Sequence, residues 1–122
     1  MIRNQTSLKV CDNSGALVVQ CIQPLKKAKL ATSSIGEILV VSVKKALPHK
    51  KITKGMVYYG LIIRTKKNIT RLNQFAINFS DNSVILLTKD KTPLGTRIFG
   101  PVLQELRKFN FLKVLSLATK IL

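Results

Sequence analysis

The sequence predicts a mostly β chain: a small antiparallel barrel of five or six short strands, followed by two short C-terminal helices. Three observations carry the prediction. Runs rich in β-branched and aromatic residues recur between turn signals, several of them alternate apolar with polar positions, and the spacing becomes helical only after Thr88. A closed barrel suits such strands because it removes exposed sheet edges.

The elements follow in chain order. "SLKVC" (Ser7 to Cys11) alternates, "DNSG" (Asp12 to Gly15) is a turn, and "LVVQCI" (Leu17 to Ile22) is too short for a helix, so the three form a first hairpin. "EILVVSVKKAL" (Glu37 to Leu47) and "MVYYGLIIRTKK" (Met56 to Lys67) are the long central strands, separated by the Pro, Lys and Gly of "PHKKITKG". "FAINF" (Phe75 to Phe79) places Phe75, Ile77 and Phe79 on one face, and "SDNS" turns it into "VILLT" (Val84 to Thr88) as a second hairpin. Beyond it, Leu103 and Leu106 in "VLQELRKF" share a helical face. Phe111, Val114, Leu115 and Ala118 in "FLKVLSLA" do the same, although that second segment also reads as a strand.

A chain of 122 residues fits one domain over residues 1–122, with the barrel over 1–90 and a loop with short helices over 91–122. At 46% hydrophobic residues it is too apolar for a disordered basic tail, so its charge sits on a folded body. That charge is +16, from 21 Lys and Arg against 5 Asp and Glu. Such self-repulsion points to a polyanionic partner, nucleic acid first and an anionic membrane second. The longest apolar stretch, Met56 to Ile63, is far below the roughly 20 residues of a spanning helix. "MIRNQTSLKV" has the features of neither a secretory signal nor a transit peptide, so the protein is expected to work where it is made or to have lost its presequence.

Cations are concentrated. No acid falls between Glu37 and Asp81, whereas Lys44, Lys45, Lys50, Lys51, Lys54, Arg64, Lys66, Lys67 and Arg71 all do. Pairing of the central strands would send two basic loops from opposite ends of the barrel. Lysine-rich loops of this kind contact phosphates and supply affinity rather than sequence readout. A solvated face is the simpler explanation for any one lysine, but not for nine cations without an acid among them. With aromatics at 6% and no Trp, base stacking has little to work with, so structured RNA or duplex backbone is the better fit.

Enzymatic chemistry has little to build on. His49 lies in the basic loop with no carboxylate nearby in sequence to orient it, which suits phosphate contact or solvation rather than base catalysis. The five acids are scattered, and Asp12 and Asp81 have turn-bonding positions. Cys11 and Cys21 are ten residues apart and able in principle to pair, but two small buried side chains in a reducing compartment is the simpler reading. Zinc would want about four ligands, and only His49 is available to join the cysteines.

"QTSLKVCDNSGA" (residues 5–16), "GLIIRTKK" (60–67), "GTRIFGPV" (95–102) and "ELRKFNFLKVLSLA" (105–118) resemble, in order, the signature blocks of the universal large-subunit ribosomal protein L-fourteen family, in its bacterial and organellar form. The resemblance covers essentially the whole chain. It implies a five-stranded barrel with a small helical C-terminal part and no enzymatic activity, cofactor or metal. It further implies binding to large-subunit rRNA and a bridge to small-subunit rRNA, beside ribosomal proteins three and nineteen. The rRNA contacts expected from the cation distribution are Arg3, Lys26, Lys27, Lys29, Lys44, Lys45, His49, Lys50, Lys51, Lys54, Arg64, Lys66, Lys67 and Arg71. In the resembling proteins the "GTRIFGPV" segment and the helix after it form a docking surface for a neighbouring ribosomal protein and for a ribosome-silencing factor. Here that surface would hold Thr96, Arg97, Phe99 and Lys113. A plainer role for Ile98, Phe99 and Val102 is to plug the barrel's open end.

Five residues at three places depart from the family pattern. Leu17 stands where a basic residue is usual, Asn73 and Gln74 occupy a tip where Gly is usual, and Thr119 and Lys120 replace a common Pro and acid. An excess of 16 lysines over 5 arginines, with abundant Asn, Ile and Phe, is the bias of an AT-rich genome. That places the gene in an organelle, a mitochondrion first, with the cytoplasm of a low-GC bacterium as the alternative. Two other classes share part of the pattern. A DNA-architectural barrel would bind bulk duplex without ribosomes, and an RNA-processing enzyme would need an acid-base or metal constellation that these residues do not supply.

Overall fold

Alternation in the first hairpin becomes a pair of strands in the computed structural model, which describes residues 2–25, 32–71, 74–109 and 111–122. β1 (Ser7–Val10) runs antiparallel to β2 (Ala16–Pro24), with Leu8 opposite Val19 and both buried. β3 (Ile38–Ala46) and β4 (Val57–Arg64) form the central hairpin, Val41 opposite Tyr58. Along β3 the apolar residues Leu39, Val41 and Val43 are buried while their neighbours are not, the period-two pattern of a barrel wall with one wet face.

The second expected hairpin is not formed. β6 (Ala76–Ile77), within "FAINF", pairs instead with β5 (Ile69–Thr70) in a separate two-stranded sheet. β7 (Ser83–Leu87), from "VILLT", enters the barrel between β4 and β1. Burial explains the choice. All five residues of β7 and the last five of β4 are buried, so the two strands match each other as neighbours covered on both faces. "FAINF" leaves Phe75, Ala76 and Asn78 exposed, with only Ile77 and Phe79 packed against the core.

The closed ring is β1-β2-β3-β4-β7. Its four other contacts are antiparallel, but β1 and β7 are parallel, joined at Lys9 with Ser83 and Val10 with Val84. An odd-membered ring forces this correction to the all-antiparallel expectation: five strands cannot alternate direction all the way round, and one seam must be parallel. Beyond Val10 the seam is finished by Cys11 N–H to the Val84 carbonyl and by the buried Asp12 carboxylate, which accepts the Leu86 N–H at 3.1 Å. Asp12 also accepts the Ser14 N–H two residues on, as its turn position predicts.

After the barrel come β8 (Ile98–Val102), a 3-10 helix (Gln104–Phe109), α1 (Leu112–Leu117) and β9 (Ala118–Ile121), which pairs parallel with β8. The first expected helix is therefore a 3-10 segment. The second is helical, and a strand then follows it from Ala118. α1 is too short to persist alone and has no side-chain N-cap. Its Val114 and Leu115 are buried with Val102, Leu103 and Leu106, each such burial contributing roughly 1.5–3 kcal/mol. At the β5–β6 tip Gln74 takes φ 67 and donates its N–H to the Arg71 carbonyl. A left-handed conformation at a non-glycine residue costs about 1–2 kcal/mol; Asn73 lies outside the described residues.

Candidate nucleic-acid interface

The antiparallel course of β3 and β4 decides where the cations go. The connection between them leaves one end of the barrel, and the chain after β4 leaves the other. At the first end Lys44, Lys45, His49, Lys50, Lys51 and Lys54 are all exposed. The loop is nonetheless anchored: Ile52 is buried in the core, and the Leu47 N–H donates to the Gly15 carbonyl at 2.8 Å. His49 takes φ 66, a left-handed turn residue within this basic loop.

At the opposite end Lys66 and Lys67 are exposed on a backbone that is held in place. The Lys66 N–H donates to Asn82 Oδ1 at 2.9 Å, Thr65 Oγ1 to the Lys67 carbonyl at 3.3 Å, and the Phe79 N–H to the Thr65 carbonyl at 3.1 Å. Arg3 is exposed at this end as well, next to Ile2, which bridges Ser33 ahead of β3. Lys26, Lys27 and Lys29 lie outside the described residues.

Two of the predicted contacts are turned inward. Arg64 is buried, donating from Nη1 to the Phe99 carbonyl at 3.2 Å and from Nη2 to Ser83 Oγ at 3.1 Å. Its Nε stands 3.6 Å from Asp81 Oδ1, an ion pair too long to be a hydrogen bond. Arg71 makes a two-pronged pair with Glu105, at 2.6 and 3.2 Å, and also donates to the Leu122 carbonyl. Both arginines fasten the C-terminal segment to the body, Arg64 at β8 and Arg71 at the 3-10 helix and the residue after β9. A planar guanidinium suits such multi-acceptor work better than an ammonium does. The acid-free stretch concealed them because both carboxylate partners, Asp81 and Glu105, come from outside it.

The "GTRIFGPV" residues divide by strand alternation. Ile98 and Val102 are buried, whereas Thr96, Arg97 and Phe99 are exposed, as is Lys113 on α1. Phe99 is 54% exposed, whereas Ile98 and Val102 belong to the buried core. Leu17 is also exposed.

Sequence reasoning passed over Lys89 and Lys91, which are exposed in the loop between β7 and β8. This loop sits at the first basic end, since Thr96 and Arg97 at its far side bond Asn13 of the β1–β2 turn. Asp90 lies between the two lysines, so they belong to no acid-free run. Asn13 itself had a detectable signal only in the turn chemistry of "DNSG".

Cys11 and Cys21 are both free and buried. Desolvation pushes the Cys11 thiol up to about 12, with the Arg64 charge opposing and the Asp12 and Asp81 charges adding, and burial raises Cys21 as well. At pH 8, iodoacetamide is expected to leave both thiols of the folded protein unmodified and to label both in denaturant, read by mass spectrometry. Between the ordinary value of 9.0 and about 12, the unfolded chain releases the Cys11 proton while the folded one keeps it. The Cys11 contribution to stability is thus complete below that window and is lost as pH rises through it.

Fold and charge together define a class, a small, strongly basic β-barrel that displays exposed lysines at both ends among the described residues. The family model described as ribosomal protein L14p/L23e matches residues 1–122, the whole chain. The chain belongs to that family, and is thus a structural protein of the large ribosomal subunit rather than an enzyme.

Proposed function

We propose that the chain acts as one domain that binds large-subunit rRNA through its two lysine-bearing ends and helps form a bridge to small-subunit rRNA. The observation that carries this is the division of labour among the cations. Arg64 and Arg71 are paired internally, whereas Lys44, Lys45, Lys50, Lys51, Lys54, Lys66 and Lys67 are exposed. Surface lysines that neutralise phosphates release counterions, which supplies affinity without sequence readout. Arg3 and His49 extend the two ends, and Lys89 and Lys91 add to the first. Thr96, Arg97, Phe99 and Lys113 form the surface for protein neighbours, with ribosomal proteins three and nineteen and a silencing factor as the partners. The lysine-over-arginine bias supports an organellar, mitochondrial ribosome as the setting.

Sedimentation of a tagged copy from native lysate, with the RNA sized in each fraction, tests the proposal. The tag is expected to travel with the large subunit and its long rRNA, and the identity of that rRNA assigns the compartment. A tag that travels with DNA, or stays at the top of the gradient, overturns the rRNA reading.

A further inference from the structure

Asn13 projects from the β1–β2 turn and reaches a segment 83 residues away. Its Oδ1 receives the Thr96 N–H at 2.8 Å and the Arg97 N–H at 3.1 Å, while its Nδ2 donates to Thr96 Oγ1 at 2.8 Å. Two N–H donors converging on one atom require an oxygen there, which fixes the orientation of the carboxamide.

Gly95 is the complementary half of this contact. A Cβ at position 95 would lie 2.7 Å from Asn13 Oδ1, 3.1 Å from Asp12 Cβ and 3.3 Å from the Asn13 backbone nitrogen. Any side chain there would press against the turn and push the carboxamide off its two donors. The turn itself does not yield readily, because Asp12 bonds both Ser14 and Leu86. Just downstream, Ile98 bridges Asp12 and the Phe99 N–H donates to the Cys11 carbonyl at 2.7 Å. Backbone bonds hold the flanks of this loop, at Leu94 and at Ile98–Phe99, and between them the Asn13 side chain bonds the Thr96 and Arg97 amides, while the Arg97 side chain stays in solvent.

We infer that Asn13 is a positioning residue: its carboxamide sets the backbone of Gly95–Arg97 and so presents Arg97, already ordered, to a docking protein. A loop ordered beforehand avoids the ordering cost that a flexible one meets on binding. This inference rests on the proposed docking role of Arg97, and the experiment separates the two.

Hydrogen exchange on the purified full chain reads the loop directly. Asn13→Ala is expected to speed exchange at the Thr96 and Arg97 amides about tenfold, the scale of one lost hydrogen bond, while β3 and β4 amides keep their protection. Asn13→Asp, whose carboxylate still accepts both N–H groups, restores protection at the two amides. Gly95→Ala reproduces the Asn13→Ala result. Unchanged protection at Thr96 and Arg97 in Asn13→Ala overturns the inference, and so does an increase spread evenly over the barrel. In purified large subunits, the yield of amine-reactive cross-links from Lys113 to neighbouring proteins is expected to fall in Arg97→Ala and in Asn13→Ala, with the double variant no worse than Arg97→Ala. A fall in Arg97→Ala alone keeps the docking role and overturns the role of Asn13. No fall in Arg97→Ala overturns the docking role, and the exchange data alone then decide whether Asn13 shapes the loop.

Discussion

Gly100→Ala is expected to destabilise the protein by about 3–5 kcal/mol, measured as a shift in urea unfolding. Gly100 has φ +84, where an L side chain costs about 1–2 kcal/mol by itself. The larger part comes from Arg64, whose Nη1 lies 1.9 Å from where the new Cβ would sit. The end of an arginine ordinarily swings aside at little cost, but this one is buried and engaged with Phe99, Ser83 and Asp81. Displacing it leaves buried polar groups unpaired, at about 1–3 kcal/mol for each group. The causal step is separable. In an Arg64→Ala background, Gly100→Ala is expected to cost only the backbone strain, so the two substitutions couple by about 2 kcal/mol or more in a double-mutant cycle. A cost below about 1 kcal/mol in the natural background would mean that the guanidinium has room to move.

The same cluster shows why part of the fold was legible in the sequence and part was not. Period-two runs such as Leu39, Val41 and Val43 are local, and they put β3 and β4 within a few residues of their observed ends. The choice of neighbour is not local. "VILLT" reads as a hairpin partner of "FAINF" because "SDNS" is a good turn, yet burial on both faces makes β4 the better partner. The parallel seam likewise depends on the number of strands in the ring, which no single segment encodes.

The candidate site divides along the same line. Exposed lysines are legible as acid-free runs because charge placement needs only composition. The internal pairing of Arg64 and Arg71 was not legible because their partners Asp81 and Glu105 are remote in sequence. Asn13 was missed because its significance lies in a loop on the far side of the chain. Residues whose work is long-range hydrogen bonding carry little signature of their own beyond turn propensity.

Reversing the charge of Lys50, Lys51, Lys66 and Lys67 together is expected to abolish stable incorporation into the large subunit while leaving the barrel folded. All four side chains are exposed, so Lys→Glu breaks no buried contact. Four reversals change the net charge by 8, from +16 to +8, which relieves self-repulsion and gives no reason for thermal stability to fall. Toward RNA the effect is opposite in kind. Each lysine that neutralises a phosphate contributes about 0.7–0.9 to the log-log salt slope, so losing four lowers the slope by about 3. Because two of the four sit at each end of the barrel, the paired variants Lys50→Glu/Lys51→Glu and Lys66→Glu/Lys67→Glu report on each end separately. Binding of purified protein to large-subunit rRNA between low and physiological salt, alongside circular dichroism of each variant, makes the distinction. A quadruple variant that folds, binds with an unchanged slope and incorporates fully would make these lysines a solvated surface. An end whose pair alone carries the loss of slope is the end that meets the rRNA backbone.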